Sequence, residues 1–181
     1  YVASMTEAFI ALHKAKHLFA HVLVAAGAKR WREAALGDSG ETPTGFFADF
    51  ALTGAPDEAE LAALGDDMAH LLGNFRSFRE LRFTPEQALK RFEGQSWKRR
   101  YVEALAESEP SIRCYELDGV VDVCDCVLKE PRELRALHPE KFLLTGAHPW
   151  VWSHRGKDEL FVRVSGEIFP VPPPCACCGR S

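Results

Sequence analysis

Ile112-Arg113-Cys114-Tyr115-Glu116-Leu117-Asp118-Gly119-Val120-Val121-Asp122-Val123-Cys124 is the stretch whose reading decides the fold class. Two runs rich in β-branched and aromatic residues flank Asp118-Gly119, a dipeptide favoured in two-residue hairpin turns, so the stretch reads as an antiparallel hairpin. Side chains alternate along a strand, which puts Asp122 and Cys124 on one face. Further strands are expected on both sides of the hairpin. Thr44 to Leu52 has aromatic content and turn-forming flanks, and Phe78 to Phe83 alternates. Phe142 to Thr145, Trp150 to Trp152 and Leu160 to Val164 read as the closing strands of an antiparallel sheet.

Helical spacing interrupts these strands. A long helix is expected from about Thr6 to Ala26, and a second opens at Pro56-Asp57-Glu58 and runs to about Asn74, with Leu61, Leu64, Met68, Leu71 and Leu72 on one side. Thr84-Pro85-Glu86-Gln87 supplies an N-cap, a first-turn proline and a capping-box glutamine for a short helix ending near Phe92. Trp97 to Leu105 reads as helix or extended chain. Gly37 to Pro43, rich in Gly, Ser, Thr and Pro, reads as a loop. Mixed elements with antiparallel pairing define an α+β class: an antiparallel sheet packed with a long N-terminal helix and further helices.

The 181 residues are 46% hydrophobic and 27% charged, enough for one core. Residues 1–4 precede Met5 and are set aside, with the natural start expected at Met5. Residues 5–169 are expected to form one domain and 170–181 a tail rich in Pro and Cys. No apolar run approaches the roughly 20 residues of a membrane span, so a cytoplasmic protein is expected. A net charge of −4 argues against a chain coated in positive charge. Lys90, Arg91, Lys98, Arg99 and Arg100, interleaved with Trp97 and Tyr101, nevertheless form a local basic cluster able to meet a phosphate backbone. The cysteines fall in two groups, Cys114, Cys124 and Cys126, then Cys175, Cys177 and Cys178. Neither group has paired C-x-x-C spacing, and both read as thiols or ligands before disulfides.

The first helix carries His13, His17 and His21 at intervals of four, on one helical face. His17 and His21 form an H-x-x-x-H pair able to grip a metal ion or a substrate. Taken alone, the helix equally allows histidines that are exposed or hydrogen-bonded in a core.

The order of parts is specific. The H-x-x-x-H helix is followed by Gly45-Phe46-Phe47-Ala48-Asp49, the Glu86 to Phe92 helix, Lys98, Asp122-Val123-Cys124, Phe142, and Trp152 to Gly166. Over roughly residues 13 to 169 this resembles the editing domain of threonyl-tRNA synthetases, and more distantly the freestanding alanyl-tRNA editing proteins. The resemblance implies hydrolysis of the ester joining a wrong amino acid to a tRNA 3′ end. His17 and His21 would position water or substrate, or bind a metal. Lys98 would hold the ribose or the oxyanion, Asp122 would take the substrate ammonium or act on water, and Cys124 would complete the cluster. Gly45, Phe47, Ala48 and Asp49 would line the amino-acid pocket. With no catalytic or anticodon-binding domain following, a freestanding trans-editing hydrolase is expected, with the aminoacyl-tRNA 3′ end as partner.

Two departures bear on this expectation. The family's metal-binding form ends C-x-x-x-H, and here Leu128 stands where the last histidine belongs. Zn2+ held by His17, His21 and Cys124 is expected, with Cys126, His138 or a terminal cysteine as a substitute ligand; another divalent metal such as iron, or none, is the alternative. Ala48 stands where the family tends to carry tyrosine, which suggests an enlarged pocket for a threonine-like, even non-proteinogenic, amino acid rather than simply serine. Two further readings stay open: a metalloenzyme of this fold in small-molecule, amino-acid-derived biosynthesis, and a non-catalytic metal- or RNA-binding module.

Overall fold

The hairpin and the long helix are both present, and the way they meet sets the architecture. A computed structural model describes residues 2–124, 134, 135, 137, 138, 141–154 and 156–169. In chain order the elements are α1 (Val2–Arg30), β1 (Leu36–Glu41), β2 (Gly45–Phe50), α2 (Glu58–Asn74), β3 (Phe78–Phe83), α3 (Pro85–Arg91), α4 (Ser96–Ala106), β4 (Ile112–Leu117), β5 (Val120–Val123), β6 (Phe142–His154) and β7 (Lys157–Ile168). The strands form two antiparallel sheets, ordered β1-β2-β7-β6 and β3-β4-β5. The α+β class holds, with two sheets in place of one. No helix among the described residues is long and apolar enough to cross a membrane.

Helix α1 is the wedge between the sheets. Leu18, Phe19, Ala20, Val22, Leu23, Val24, Ala25 and Ala26 are all buried, so this part of the helix is covered on every side. Phe19 stacks on Phe46 of β2 with ring centroids 5.4 Å apart and also meets Phe142 of β6. Gly27 brings the last turns of α1 against β2. A Cβ there would lie 2.3 Å from the Phe50 ring. The helix continues four residues beyond the expected Ala26, ending on Lys29 and Arg30, cations suited to a helix C-terminus.

Local signals fix the other elements. Asp57 caps α2 in a reciprocal box with Glu60, and Thr84 caps α3 with Gln87 behind Pro85. Asp118 and Gly119 take positive φ values of 48° and 90°, the tight turn anticipated between β4 and β5. The Trp97 to Leu105 segment resolves as helix. A smaller core of Ala88, Phe92, Val102, Ile112, Cys114 and Val123 joins α3 and α4 to the three-stranded sheet.

Two expectations are corrected. Gly37 to Pro43 is not wholly loop, because β1 pairs with β2 from Leu36 to Glu41. Strand pairing here overrides a turn-like composition. The two segments Phe142 to Thr145 and Trp150 to Trp152 belong to one strand, β6, whose register slips between Leu144 and Gly146 before pairing resumes along β7.

Candidate functional site

Four elements meet around a cavity of about 80 Å3, lined by His17, Ala20 and His21 of α1, Asp38 and Ser39 of β1, Lys98 and Tyr101 of α4, and Val123 and Cys124 at the end of β5. The i, i+4 spacing presents both imidazoles to the cavity. The Cys124 N–H donates to Arg113 O at 3.2 Å, extending the β4–β5 pairing one residue past the strand and fixing where the thiol points. His17 Nε2 then lies 3.2 Å from Cys124 Sγ. One donor atom from each of His17, His21 and Cys124 falls within 4.8 Å of the others, so the three can hold a metal ion.

The lysine expected to take part is buried. Lys98 Nζ lies 2.5 Å from Asp122 Oδ1, with the two side chains 3% and 4% exposed. Asp122 Oδ1 also accepts from the Val123 N–H at 2.8 Å, and Ser39 Oγ donates to Oδ2 at 3.4 Å. A buried ion pair persists only when its remaining valences are met, and these bonds meet those of Asp122. Burial removes Lys98 from the expected basic surface cluster. Arg100 leaves it too, ion-paired to Glu159 of β7, which also accepts from Ser96 Oγ.

Glu41, at the end of β1, is a site residue that sequence reasoning missed. Its Oε1 lies 3.3 Å from His17 Nδ1 and its Oε2 lies 2.5 Å from His13 Nδ1. A carboxylate on Nδ1 orients the ring and leaves Nε2 to face Cys124, the arrangement that outer carboxylates impose on metal-ligating histidines. Burial opposes the charged form of His17, but Cys124 and then Glu41 outweigh it and raise the pKa above 6.5. His13 is thereby placed: it shares Glu41 with His17 from the exposed side of the helix. His21 is buried, its ring 5.5 Å from that of Tyr115.

The donor set suits a borderline metal such as zinc: two imidazoles, one thiol and a carboxylate behind one imidazole. Among the described residues these three form the donor group, and His138, which is exposed, is not part of it. Cys126, Leu128, Cys175, Cys177 and Cys178 lie outside the described residues.

Gly45, Phe47, Ala48 and Asp49 do not line this cavity. Ala48 is fully buried with Phe46 and Phe50 in the core beneath α1. Asp49 points to the other face of the sheet. There Arg163 Nε and Nη2 each donate to its carboxylate at 2.8 Å and Trp152 Nε1 donates at 2.7 Å. The Arg163 guanidinium lies 3.8 Å from the ring centroids of both Phe47 and Trp150. Beside Glu41, the unanticipated members of the site are Asp38 and Ser39; Tyr101, singled out in the basic cluster, lines the cavity as well. The three unanticipated residues ride on β1, and the only sequence hint was the pair of acids in its turn-like stretch.

Compared with known proteins, the chain matches no family model and no curated protein.

Proposed function

We propose that the chain hydrolyses the ester joining an amino acid to the 3′ end of a tRNA. One observation carries the reading: His17, His21, Cys124, Lys98 and Asp122, far apart in sequence, line or abut one small cavity. These are the residues on which the resemblance to threonyl-tRNA synthetase editing domains rests. At about 80 Å3 the cavity has room for no more than the reacting end of a substrate, whose nucleotides would lie outside it.

In this reading water attacks the ester carbonyl, the C–O bond to the ribose breaks, and the free amino acid and the tRNA hydroxyl are released. His17, oriented by Glu41, holds the attacking water and takes its proton at Nε2. Lys98, held by Asp122, has N–H bonds to offer the developing oxyanion. His21 and Cys124 line the same cavity. Alternatively His17, through the same Nε2, would join His21 and Cys124 in holding a zinc ion, which would acidify water in place of the His17 base and polarise a carbonyl.

The test is release of labelled amino acid from a panel of aminoacyl-tRNAs, with elemental analysis of the same preparation. Release that is lost in His17→Ala and Cys124→Ala at unchanged urea midpoint is the expected result. No release from any charged tRNA overturns the reading. A stoichiometric redox metal in place of zinc would favour a metalloenzyme acting on a free or carrier-bound amino acid.

A further inference from the structure

The amine of an aminoacyl ester is positively charged, and a largely enclosed cavity already holding a lysine and two imidazoles must offer it a carboxylate. Two of the three nearby carboxylates are engaged. Asp122 is bonded to Lys98, to the Val123 N–H and to Ser39 Oγ. Glu41 is divided between His13 and His17.

Asp38 is the third. It lines the cavity beside Lys98, and among the described residues no lysine, arginine or histidine forms an ion pair with it. The backbone aims it there. Leu36 pairs with Phe50 and Ser39 with Ala48, so Gly37 and Asp38 together stand opposite Asp49 alone, as a β-bulge. Bulges re-aim a side chain out of the ladder and are frequent beside active sites. Gly37 lets the bulge close: a Cβ there would lie 2.8 Å from Asp49 Cβ and 2.9 Å from the Phe161 ring. Burial, with the Asp49 carboxylate, pushes the Asp38 carboxyl above its ordinary range against the pull of Lys98, the Ser39 N–H and Arg163.

We infer that Asp38 binds the α-ammonium of the aminoacyl ester, an inference that rests on the ester-hydrolysis reading. Asp122 then serves to hold Lys98, and Asp38 makes the site select esters that carry a free amine.

The test uses non-hydrolysable amides, 3′-deoxy-3′-(aminoacylamino)adenosines bearing L-threonine, L-serine or L-alanine, each with and without an acetyl group on the α-nitrogen. Calorimetry on the full chain is expected to show the free-amine forms binding at least about tenfold tighter. Asp38→Asn should erase that preference and Asp38→Glu should restore part of it, both at the wild-type urea midpoint. A preference that survives in Asp38→Asn, or its absence in the wild type, overturns the assignment. The deacylation assay fails separately. Amine-selective binding that depends on Asp38, without turnover, removes the hydrolase reading and leaves the ammonium site. Turnover with an Asp38-independent preference does the reverse.

Discussion

Asp49 and Asp122 are both withdrawn from water and both hold a cation, yet their surroundings have little else in common. Arg163 grips Asp49 with two parallel bonds, Trp152 closes the remaining angle, and the rings of Phe47 and Trp150 cover the guanidinium. Both oxygens of Asp49 are already bonded. Lys98 holds Asp122 with a compact ammonium rather than a planar fork, and one side of the pair opens on a cavity shared with two imidazoles and a thiol. Burial alone does not distinguish scaffold from chemistry. What distinguishes them is whether the pair leaves hydrogen-bonding capacity facing a space a substrate can enter.

The sealed pair should be the more costly to break. Arg163→Ala strands a fully buried carboxylate, and the expected loss of stability is roughly 3–5 kcal/mol, read as a lower urea midpoint. Arg163→Lys should recover little of it, since an ammonium cannot reproduce the fork or the stacking between two rings. A loss below about 1 kcal/mol for Arg163→Ala would place the pair with exposed ones and erase the contrast.

The two described thiols repeat the contrast on a single hairpin. Cys114 is fully enclosed in the smaller core, where burial and then Asp122 push its pKa from 9.0 to about 12, whereas Cys124 forms part of the cavity wall. At pH 8 that shift leaves Cys114 roughly a thousandfold less thiolate than an ordinary thiol. Iodoacetamide followed by peptide mapping should therefore find Cys114 unmodified in the folded chain and modified only after urea. Ready alkylation of native Cys114 would show that the enclosed side of the hairpin is not enclosed.

Lys98→Met tests the open pair. Asp122 retains the Val123 N–H and Ser39 Oγ, so the urea midpoint should fall less than for Arg163→Ala, while release of amino acid from charged tRNA drops by about 10²–10³ through loss of an oxyanion donor. Unchanged turnover would make Lys98 as structural as Arg163.

How much of this was legible follows the range of the interactions. The capped starts of α2 and α3, the Asp118-Gly119 turn and the histidine face of α1 are local matters, decided within a few residues, and each was readable. The convergence of His17 with Cys124 was reachable only through the resemblance, since 107 positions separate them. Strand β1 was hidden because its Gly-Asp-Ser-Gly-Glu composition is that of a turn and only pairing with β2 makes it a strand. Asp38, Ser39 and Glu41 were hidden with it. The placing of Asp49 in the amino-acid pocket rested on the resemblance, and nothing local announces that Arg163, 114 positions away, takes up its carboxylate.

A third pair bounds the scale from below. Lys29 and Asp118 join the end of α1 to the hairpin turn near the surface, with side chains 41% and 22% exposed, and Asp118 Oδ1 also accepts from the Arg76 N–H at 3.2 Å. The Lys29 bond, ahead of the opposing desolvation, holds the Asp118 carboxyl below its ordinary value of 3.8. A depressed folded-state pKa contributes stability above the unfolded value and loses it as pH falls through the folded one. Asp118→Asn keeps the left-handed turn, which asparagine adopts readily, and removes only the charge. The variant should be less stable at pH 7 by under about 1 kcal/mol, and the gap should narrow as pH falls below the ordinary value of 3.8. Urea midpoints followed down in pH measure it. A gap of several kcal/mol, or one indifferent to pH, would mean that solvent screening does not separate this pair from the two buried ones, and that the ranking from sealed to open to exposed has some other cause.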